Sequence, residues 1–248
     1  MLETSHRRLA WDACYNIRDL GGYPTPRGAT RWGVYLRGDS LIRLSPAGCT
    51  ALRNYGVRTI IDLRSAHEYT SGAHPFSATS GVGHPRYHAL PLFDENNNKG
   101  MDRVSMARTL GELYETVLHF FPAQIVTVLR ALANAPQGGI LFHCHAGKDR
   151  TGLIAMFVLA IAGVDDETII ADYAVSDQFL GPLYKEILGR YTNQPKEHHR
   201  VAQLVHARPE YMRATLERLH RHSHGPLGYL LSAGMTADEL DQIRLRFF

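Results

Sequence analysis

The sequence predicts an α/β fold in which helices flank a central, mostly parallel sheet of about four or five strands. Two patterns predict it. Short β-branched or apolar runs alternate with segments of helical periodicity, in the order strand, helix, strand, loop, helix, strand, helix. Beyond residue 163 the pattern is mostly helical. No repeat or linker interrupts this order, so we expect a single domain over residues 1–248 with a helical C-terminal part.

The first half of the chain predicts strands around one clear helix. The first forty residues contain short strands with a turn at Gly21–Gly22. In LSPAGCTALRNYG, Ser45 is the expected N-cap and Pro46 occupies the first helical position. VRTIIDLR is then a β-branched strand that ends at Asp62–Arg64. After a turn-rich segment we expect strand at Tyr87–Leu92.

The second half begins with a polar stretch and becomes helical. Asp94–Gly100 contains three consecutive asparagines and is predicted to be a mobile loop. Residues 111–134 are helical in pattern with an interruption or restart at Pro122, Gly139–His143 is a buried strand, and Arg150–Ala162 is a helix. Three more helical segments follow: DDETIIADYAVSDQF, RPEYMRATLERLHRH, and TADELDQIRLRFF with a capping box from Thr236 to Glu239.

Composition and charge narrow the function classes. The chain is 44% hydrophobic and 21% charged, as in ordinary globular proteins. Its net charge of +3 fits an anionic substrate without requiring one. Interleaved aromatic and basic residues of the kind that bind single strands are missing from the sequence, so a nucleic-acid partner is not predicted.

The cysteines and apolar runs bear on the cellular compartment. Cys14, Cys49 and Cys144 include no CxxC pair, so a disulfide framework is not predicted. The N-terminal residues lack a signal-peptide core, and the longest apolar run, Leu153–Ala162, is too short to span a bilayer. We therefore expect a soluble, cytoplasmic protein without an integral membrane segment. Secretion without a signal peptide and the oligomeric state stay open.

The string HCHAGKDRTG, residues 143–152, links a predicted strand to a predicted helix. The N–H groups and the dipole at the start of a helix bind anions. Gly147 and Gly152 let the loop curl so that successive N–H groups point inward. Arg150 can add a two-pronged contact to phosphate oxygens. The string therefore predicts a phosphate-binding loop.

Cys144 lies in the same positive field, which favours the reactive thiolate. A buried structural cysteine is the competing interpretation of Cys144 alone, but the complete string favours a sulfur nucleophile directed at phosphorus. Thr151 is predicted to donate a hydrogen bond to the sulfur and help it leave in a second step. The residues expected to contact substrate are His145, Ala146, Gly147, Lys148, Asp149 and Arg150.

This string resembles the HCxxGxxR[ST]G signature of the cysteine-dependent protein tyrosine phosphatase superfamily. Its AGKDRTG core is similar to a narrower branch, the bacterial tyrosine phosphatases of mycobacterial and listerial type and related atypical dual-specificity and lipid phosphatases. Further likeness lies in NIRDLGGY, YLRGDSLIRLSPAG, GVRTIIDLRSAHEY, ADYAVSD and GYLLSAGMTADELDQIR. The resemblance implies a tyrosine-phosphatase-like fold and chemistry that needs no cofactor. It also implies Cys144 as nucleophile, Arg150 as phosphate and transition-state binder, and Thr151 as assistant to thiolate release.

Several aspartates compete for the role of general acid. In the superfamily the acid is an aspartate on a movable loop ahead of the signature, and Asp94 occupies the corresponding place. An ordinary aspartate of a surface turn is the competing interpretation of Asp94. Asp149, a mark of the branch, either is the acid or shapes the loop by pairing with Lys148 or an arginine. Asp62 lies at the carboxyl end of a strand, where the sites of α/β proteins gather, and its competing role is a structural ion pair with Arg64 or another base. Asp62, Arg64 and His143 are possible supporting residues.

Two substrate classes fit this loop. One is a phosphorylated protein, carrying phosphotyrosine and in a dual-specificity enzyme also phosphoserine or phosphothreonine. The other is a phosphoinositide or inositol phosphate, because Lys148 would add positive charge at the rim and His145 stands where some lipid phosphatases carry a second lysine. An inactive phosphate-binding module is the alternative of another class. The surface histidines show no ligand framework, so no metal site is predicted.

Overall fold

The computed structural model describes residues 5–71, 74–77 and 83–248. Its strands are β1 Arg18–Asp19, β2 Pro24–Thr25, β3 Gly28–Ala29, β4 Tyr35–Gly38, β5 Val57–Asp62, β6 Arg86–Ala89 and β7 Gly139–His143. Five of them form the main sheet in the order β1-β4-β7-β5-β6, in which only β1 is antiparallel to its neighbour. Strands β2 and β3 form a separate hairpin. The predicted mostly parallel sheet is therefore confirmed.

Helices make up most of the remaining described chain. They are α1 Pro46–Asn54, α2 Asn98–Met106, α3 Leu110–Phe120, α4 Pro122–Ala133, α5 Asp149–Ala162, α6 Asp166–Ala174, α7 Ser176–Phe179, α8 Gly181–Gly189, α9 Pro195–Leu204, α10 Pro209–Ser223, α11 Gly225–Ser232 and α12 Ala237–Leu245. Short 3-10 helices cover Ser5–Arg7, Leu41–Arg43 and Ala66–Ser71. The predicted flanking helices and helical C-terminal part are confirmed.

Local signals explain several helix ends. The Ser45 hydroxyl accepts a hydrogen bond from Gly48 N at the start of α1, as predicted. Thr236 and Glu239 form the predicted capping box of α12. The helical segment predicted to restart at Pro122 is two helices, α3 and α4, with an 80° bend between them. Proline lacks the N–H that a continuous helix would need there.

The prediction of a loop over Asp94–Gly100 is wrong in its second half. Helix α2 begins at Asn98, and the Asn97 side chain caps it by accepting from Gly100 N. Three consecutive asparagines favour a loop, but asparagine is also a preferred N-cap, which is the role of Asn97 here. The turn-rich segment predicted ahead of Tyr87 includes residues 72–73 and 78–82, which lie outside the described residues.

Two apolar layers enclose the sheet. The alternation along β7 directs Ile140 and Phe142 into the larger core, which is formed with the helices from α3 onward, and Leu141 into a smaller core formed with α1 and the N-terminal segment. Because β7 is central and parallel to both neighbours, its last residue lies level with Gly38 of β4 and Asp62 of β5. Side chains that follow these three strands therefore meet at one edge.

None of the described helices is by itself long and apolar enough to cross a bilayer. Only α3 and α4 taken together reach that length and hydrophobicity, and they are bent by 80° at their junction.

Candidate active site

The loop between β7 and α5 curls tightly at the carboxyl edge of the sheet. Cys144 follows the last residue of β7 and is 2% exposed. Gly147 has a φ of +66°, and a Cβ there would lie 2.4 Å from the carbonyl carbon of Gly38. Both the backbone conformation and the contact with β4 therefore require glycine at position 147, as the sequence predicts.

The carbonyl groups of this loop are held from behind. Asn16 Nδ2 donates to the carbonyls of Ala146 and Gly147, at 3.0 and 3.1 Å. Arg37 Nη2 donates to the Gly147 carbonyl at 2.9 Å. Because the N–H of a trans peptide points away from its C=O, the N–H groups of residues 147 and 148 face away from Asn16 and Arg37. This orientation is the one that the predicted anion-binding loop requires.

A buried ion-pair network fixes Arg37. Asp172 of α6 accepts from Arg37 Nη1 at 2.5 Å and from Arg18 Nε at 2.9 Å, and the three side chains are at most 2% exposed. Tyr23 donates a further hydrogen bond to Asp172. Burial alone would raise the pKa of Asp172, but the two guanidinium groups hold it well below its usual range. These residues come from NIRDLGGY, YLRGDS and ADYAVSD, so three of the matching motifs form the support of the loop.

Arg150 is held by an acidic partner that the sequence analysis missed. Glu68 accepts a two-pronged contact from Arg150, at 2.5 and 2.8 Å. Burial would raise the pKa of Glu68, but its bonds to Arg150 lower it, and the pKa of Arg150 rises in return despite burial. Glu68 lies in the 3-10 helix just after β5. Its position in the matching motif RSAHEY was the only sequence signal for a role in the site.

We expect Glu68→Gln to lower kcat/KM by about 10- to 100-fold, because a misaligned guanidinium no longer binds both phosphate oxygens. Steady-state kinetics on an aryl phosphate measures this loss. Glu115→Gln is the matched control, since Glu115 pairs with Arg218 on the surface where both side chains are about half exposed. Equal kcat/KM values for the two variants would contradict a positioning role for Glu68.

Asp62 forms the structural ion pair that was one of its two predicted roles. Its carboxylate accepts from Arg64 Nε at 2.9 Å and Nη2 at 2.6 Å, and from the Tyr87 hydroxyl at 2.9 Å. Burial would raise the pKa of Asp62, but His143 and Arg64 lower it to about 2. Both oxygens are occupied, so Asp62 is not placed to donate a proton to a substrate.

The two remaining candidate acids lie in different surroundings. Asp149 lines the cavity that contains Cys144, and its Oδ1 accepts from the Tyr114 hydroxyl at 2.7 Å. Asp94 is half-buried and accepts from Asn96 N at 3.0 Å and Gln124 Nε2 at 3.3 Å. Its neighbour Phe93 places its ring 5.2 Å from the Arg150 guanidinium carbon, so Asp94 is one residue away from the site.

Lys148 corrects one sequence expectation. It is 2% exposed, and its ammonium donates to the Leu204 carbonyl at 2.7 Å and lies 3.3 Å from Asp149 Oδ1. The prediction that Lys148 adds a free positive charge at the rim of the site is therefore wrong. The predicted pairing between Lys148 and Asp149 is confirmed. His145 adds little charge either, because burial, with the Arg150 charge, lowers its pKa.

A cavity of about 260 Å³ opens over the loop. The loop residues Cys144, His145, Ala146, Lys148, Asp149 and Arg150 form its floor, which Glu68 also borders, and Tyr184, Ile187, Leu204 and Val205 form a mostly apolar wall. Thr151 Oγ1 is buried and has no hydrogen-bond partner among the described residues. A buried, unpaired hydroxyl on the first turn of α5 is available to the sulfur or to a bound oxygen.

The cavity combines a thiol, a guanidinium and a curled loop at the carboxyl edge of a parallel sheet. This combination is typical of the cysteine-dependent phosphatases. The profile of the tyrosine phosphatase family matches residues 9–248, and the chain belongs to that family. The resemblance in the loop sequence is thereby confirmed at the level of the family.

Three curated relatives extend this comparison. A tyrosine-protein phosphatase of Nostoc commune is 31% identical over 218 residues, covering 86% of this chain and 74% of the relative. A putative tyrosine-protein phosphatase of Cupriavidus necator is 29% identical over 85% of this chain and 78% of the relative. The triple specificity protein phosphatase PtpB of Mycobacterium tuberculosis is 28% identical over 91% of this chain and 87% of its own length.

Proposed function

We propose that the protein hydrolyses aryl phosphate monoesters, with phosphotyrosine in proteins as the substrate class, through a phosphocysteine on Cys144. The observation that carries the proposal is that Cys144 and Arg150 line one cavity together with other residues of the same loop. A cytoplasmic location and a phosphorylated protein as the partner belong to the same proposal.

The first step transfers the phosphoryl group to sulfur. The Cys144 thiolate attacks phosphorus, the S–P bond forms, and the ester P–O bond breaks. The Arg150 guanidinium and the loop N–H groups stabilise the charge on the equatorial oxygens. Asp149 gives its proton to the departing oxygen.

The second step releases phosphate. Water attacks the phosphocysteine and gives a proton to the Asp149 carboxylate, while the S–P bond breaks and the thiolate returns. The Thr151 hydroxyl is buried and has no partner among the residues that the structure describes, and it donates a hydrogen bond to the departing sulfur. The two steps together consume one water and restore both Cys144 and Asp149.

Asp149→Asn is expected to reduce kcat by roughly 10²- to 10⁴-fold with a poor leaving group, and much less with para-nitrophenolate, which leaves without a proton. Asp94→Asn, as the matched aspartate, should leave that leaving-group dependence as in wild type. The measurement is kcat against the leaving-group acidity of a series of aryl phosphates. A steeper dependence in Asp94→Asn instead would transfer the acid role to Asp94.

The surroundings of the floor favour a monoester over a multiply phosphorylated headgroup. The apolar wall over the floor suits the ring of phosphotyrosine. A second phosphate needs a free cation nearby, but the Lys148 ammonium is bound by Leu204 and Asp149. Phosphoserine and phosphothreonine have no ring for that wall, so we propose that they are slower substrates.

A metal-free substrate panel tests the function. It compares para-nitrophenyl phosphate, a phosphotyrosine peptide, the matched phosphoserine peptide and a phosphoinositide headgroup, each with wild type and Cys144→Ser. We expect the highest kcat/KM on the phosphotyrosine peptide and no turnover by the variant. Preference for the phosphoinositide would overturn the substrate assignment, and binding without turnover by wild type would support a phosphate-binding module instead.

A further inference from the structure

Two histidines are stacked behind the nucleophile. His143 is fully buried and His74 is 4% exposed. Their Nε2 atoms lie 3.2 Å apart, and their rings are nearly parallel. His74 follows the 3-10 helix Ala66–Ser71 in the chain. The ring of Tyr87 on β6 packs against the His74 ring, with 4.4 Å between the two ring centroids. His74 does not line the cavity and has no contact with substrate in the mechanism above.

The neighbours of the pair fix every proton on it. Phe76 N donates to His74 Nδ1 at 3.2 Å, so that nitrogen carries no proton and the neutral ring carries its proton on Nε2. The Cys144 carbonyl, which can only accept, lies 3.3 Å from His143 Nδ1, so that nitrogen carries a proton. The short contact between the two Nε2 atoms is then a hydrogen bond from His74 to His143.

We infer that His74 is a positioning residue: its Nε2–H holds His143 as the neutral, Nδ1-protonated tautomer, which binds the carbonyl of Cys144. The inference rests on the proposed function, because it concerns the nucleophile of that reaction. The chain of contacts runs from Phe76 N through both imidazoles to the Cys144 carbonyl. It orients the peptide from which the sulfur is aimed.

Charged groups around His143 explain why its protonation state needs a hydrogen-bond donor to fix it. Asp62 Oδ2 lies 3.7 Å from His143 Nε2, while Arg64 and Arg150 act on the same ring with the opposite sign. Burial lowers the pKa of both histidines, that of His74 to about 3. Without the His74 donor, Nε2 of His143 faces the Asp62 carboxylate and can take up a proton there.

The same three side chains could suggest a metal site, since Asp62, His74 and His143 offer ligand atoms within 4.8 Å of one another. Two observations argue for the hydrogen-bonded chain instead. Arg64 and Tyr87 already bind the carboxylate of Asp62. A histidine that binds a metal through Nε2 also keeps its proton on Nδ1, and that nitrogen of His74 receives the Phe76 N–H.

Histidine ¹⁵N NMR tests the tautomer without any turnover. In wild type we expect His143, identified by its loss in His143→Asn, to show a protonated Nδ1 and a bare Nε2 at every pH from about 5 to 8. In His74→Phe, Nε2 should become protonated within that range. His74→Gln can still donate from its amide and should restore the wild-type pattern. A protonated Nε2 in wild type overturns the inference, as does a bare Nε2 throughout in His74→Phe.

Kinetics tests the consequence for the nucleophile. His74→Phe should lower kcat roughly tenfold with KM within about twofold, which is the loss from one poorly paired buried carbonyl. His74→Gln should recover most of the rate, and His88→Phe, an exposed histidine on β6, is the control. Equal losses in His74→Phe and His74→Gln would overturn the positioning role. If wild type proves inactive on every phosphate ester, the NMR result still decides the tautomer, so the two failures are distinguishable.

Discussion

Cys144→Ser is expected to lose at least about 10⁴-fold in kcat, because a serine hydroxyl at this position has no base to activate it and is a poor leaving group from phosphorus. The loop N–H groups and Arg150 remain in place, so the variant should still bind a phosphotyrosine peptide. Steady-state kinetics measures the first result and isothermal titration calorimetry the second. Rate and binding should thus separate in this variant.

Cys49→Ser is the matched control, since Cys49 is a buried cysteine in the smaller core. It should keep its rate within about twofold and lose only some stability. Residual turnover by Cys144→Ser comparable to that of Cys49→Ser would show that another group attacks phosphorus. Loss of both binding and rate would show that the substitution deforms the loop and tests nothing about the nucleophile.

Asp172→Asn is expected to lower the free energy of unfolding by about 3–5 kcal/mol, because Arg18 and Arg37 would then be buried without a compensating charge. Activity should fall as well, since Arg37 holds the Gly147 carbonyl of the phosphate loop. Urea denaturation at neutral pH measures the first effect. The neighbouring Asp166→Asn is the control: Asp166 pairs with His220 on the surface, and both are about half exposed.

The same network predicts a direction for pH dependence. The pKa of Asp172 is lowered in the folded state, so its contribution to stability is present above the unfolded pKa of about 4. That contribution is lost as pH falls toward the folded value. The difference in unfolding free energy between wild type and Asp172→Asn should therefore shrink on acidification. A difference that stays constant from neutral pH to about pH 3 would contradict this account.

Much of the fold follows from local patterns in the sequence. Apolar runs of strand length, the Ser45 cap, the restart at Pro122 and the Thr236–Glu239 box each determine a boundary through contacts within a few residues. The phosphate loop could also be predicted, because its components lie within ten consecutive positions. The single domain over residues 1–248 and the individual catalytic roles stay predictions.

The parts that escaped sequence analysis depend on distant contacts. Glu68 reaches Arg150 across 82 positions, and Asn16 reaches the loop across 130. The sequence around Lys148 predicts a surface charge, because nothing in it shows that the Leu204 carbonyl at the end of α9 binds the Lys148 ammonium. Nothing in the pattern around His74 indicates that a second histidine ring lies on it. Such pairings can be predicted only when the strand order of the sheet is known.

The central claim is that the phosphoryl group is transferred to the Cys144 sulfur before water releases it as phosphate. The most direct test is rapid acid quench of wild type turning over para-nitrophenyl phosphate, followed by mass spectrometry of the peptide that contains residues 140–150. We predict one phosphoryl group on Cys144, its absence in Cys144→Ser, and a greater amount in Asp149→Asn, in which hydrolysis of the intermediate is slowed. Turnover without any phosphocysteine in wild type, or a phosphoryl group on another residue, would contradict the account.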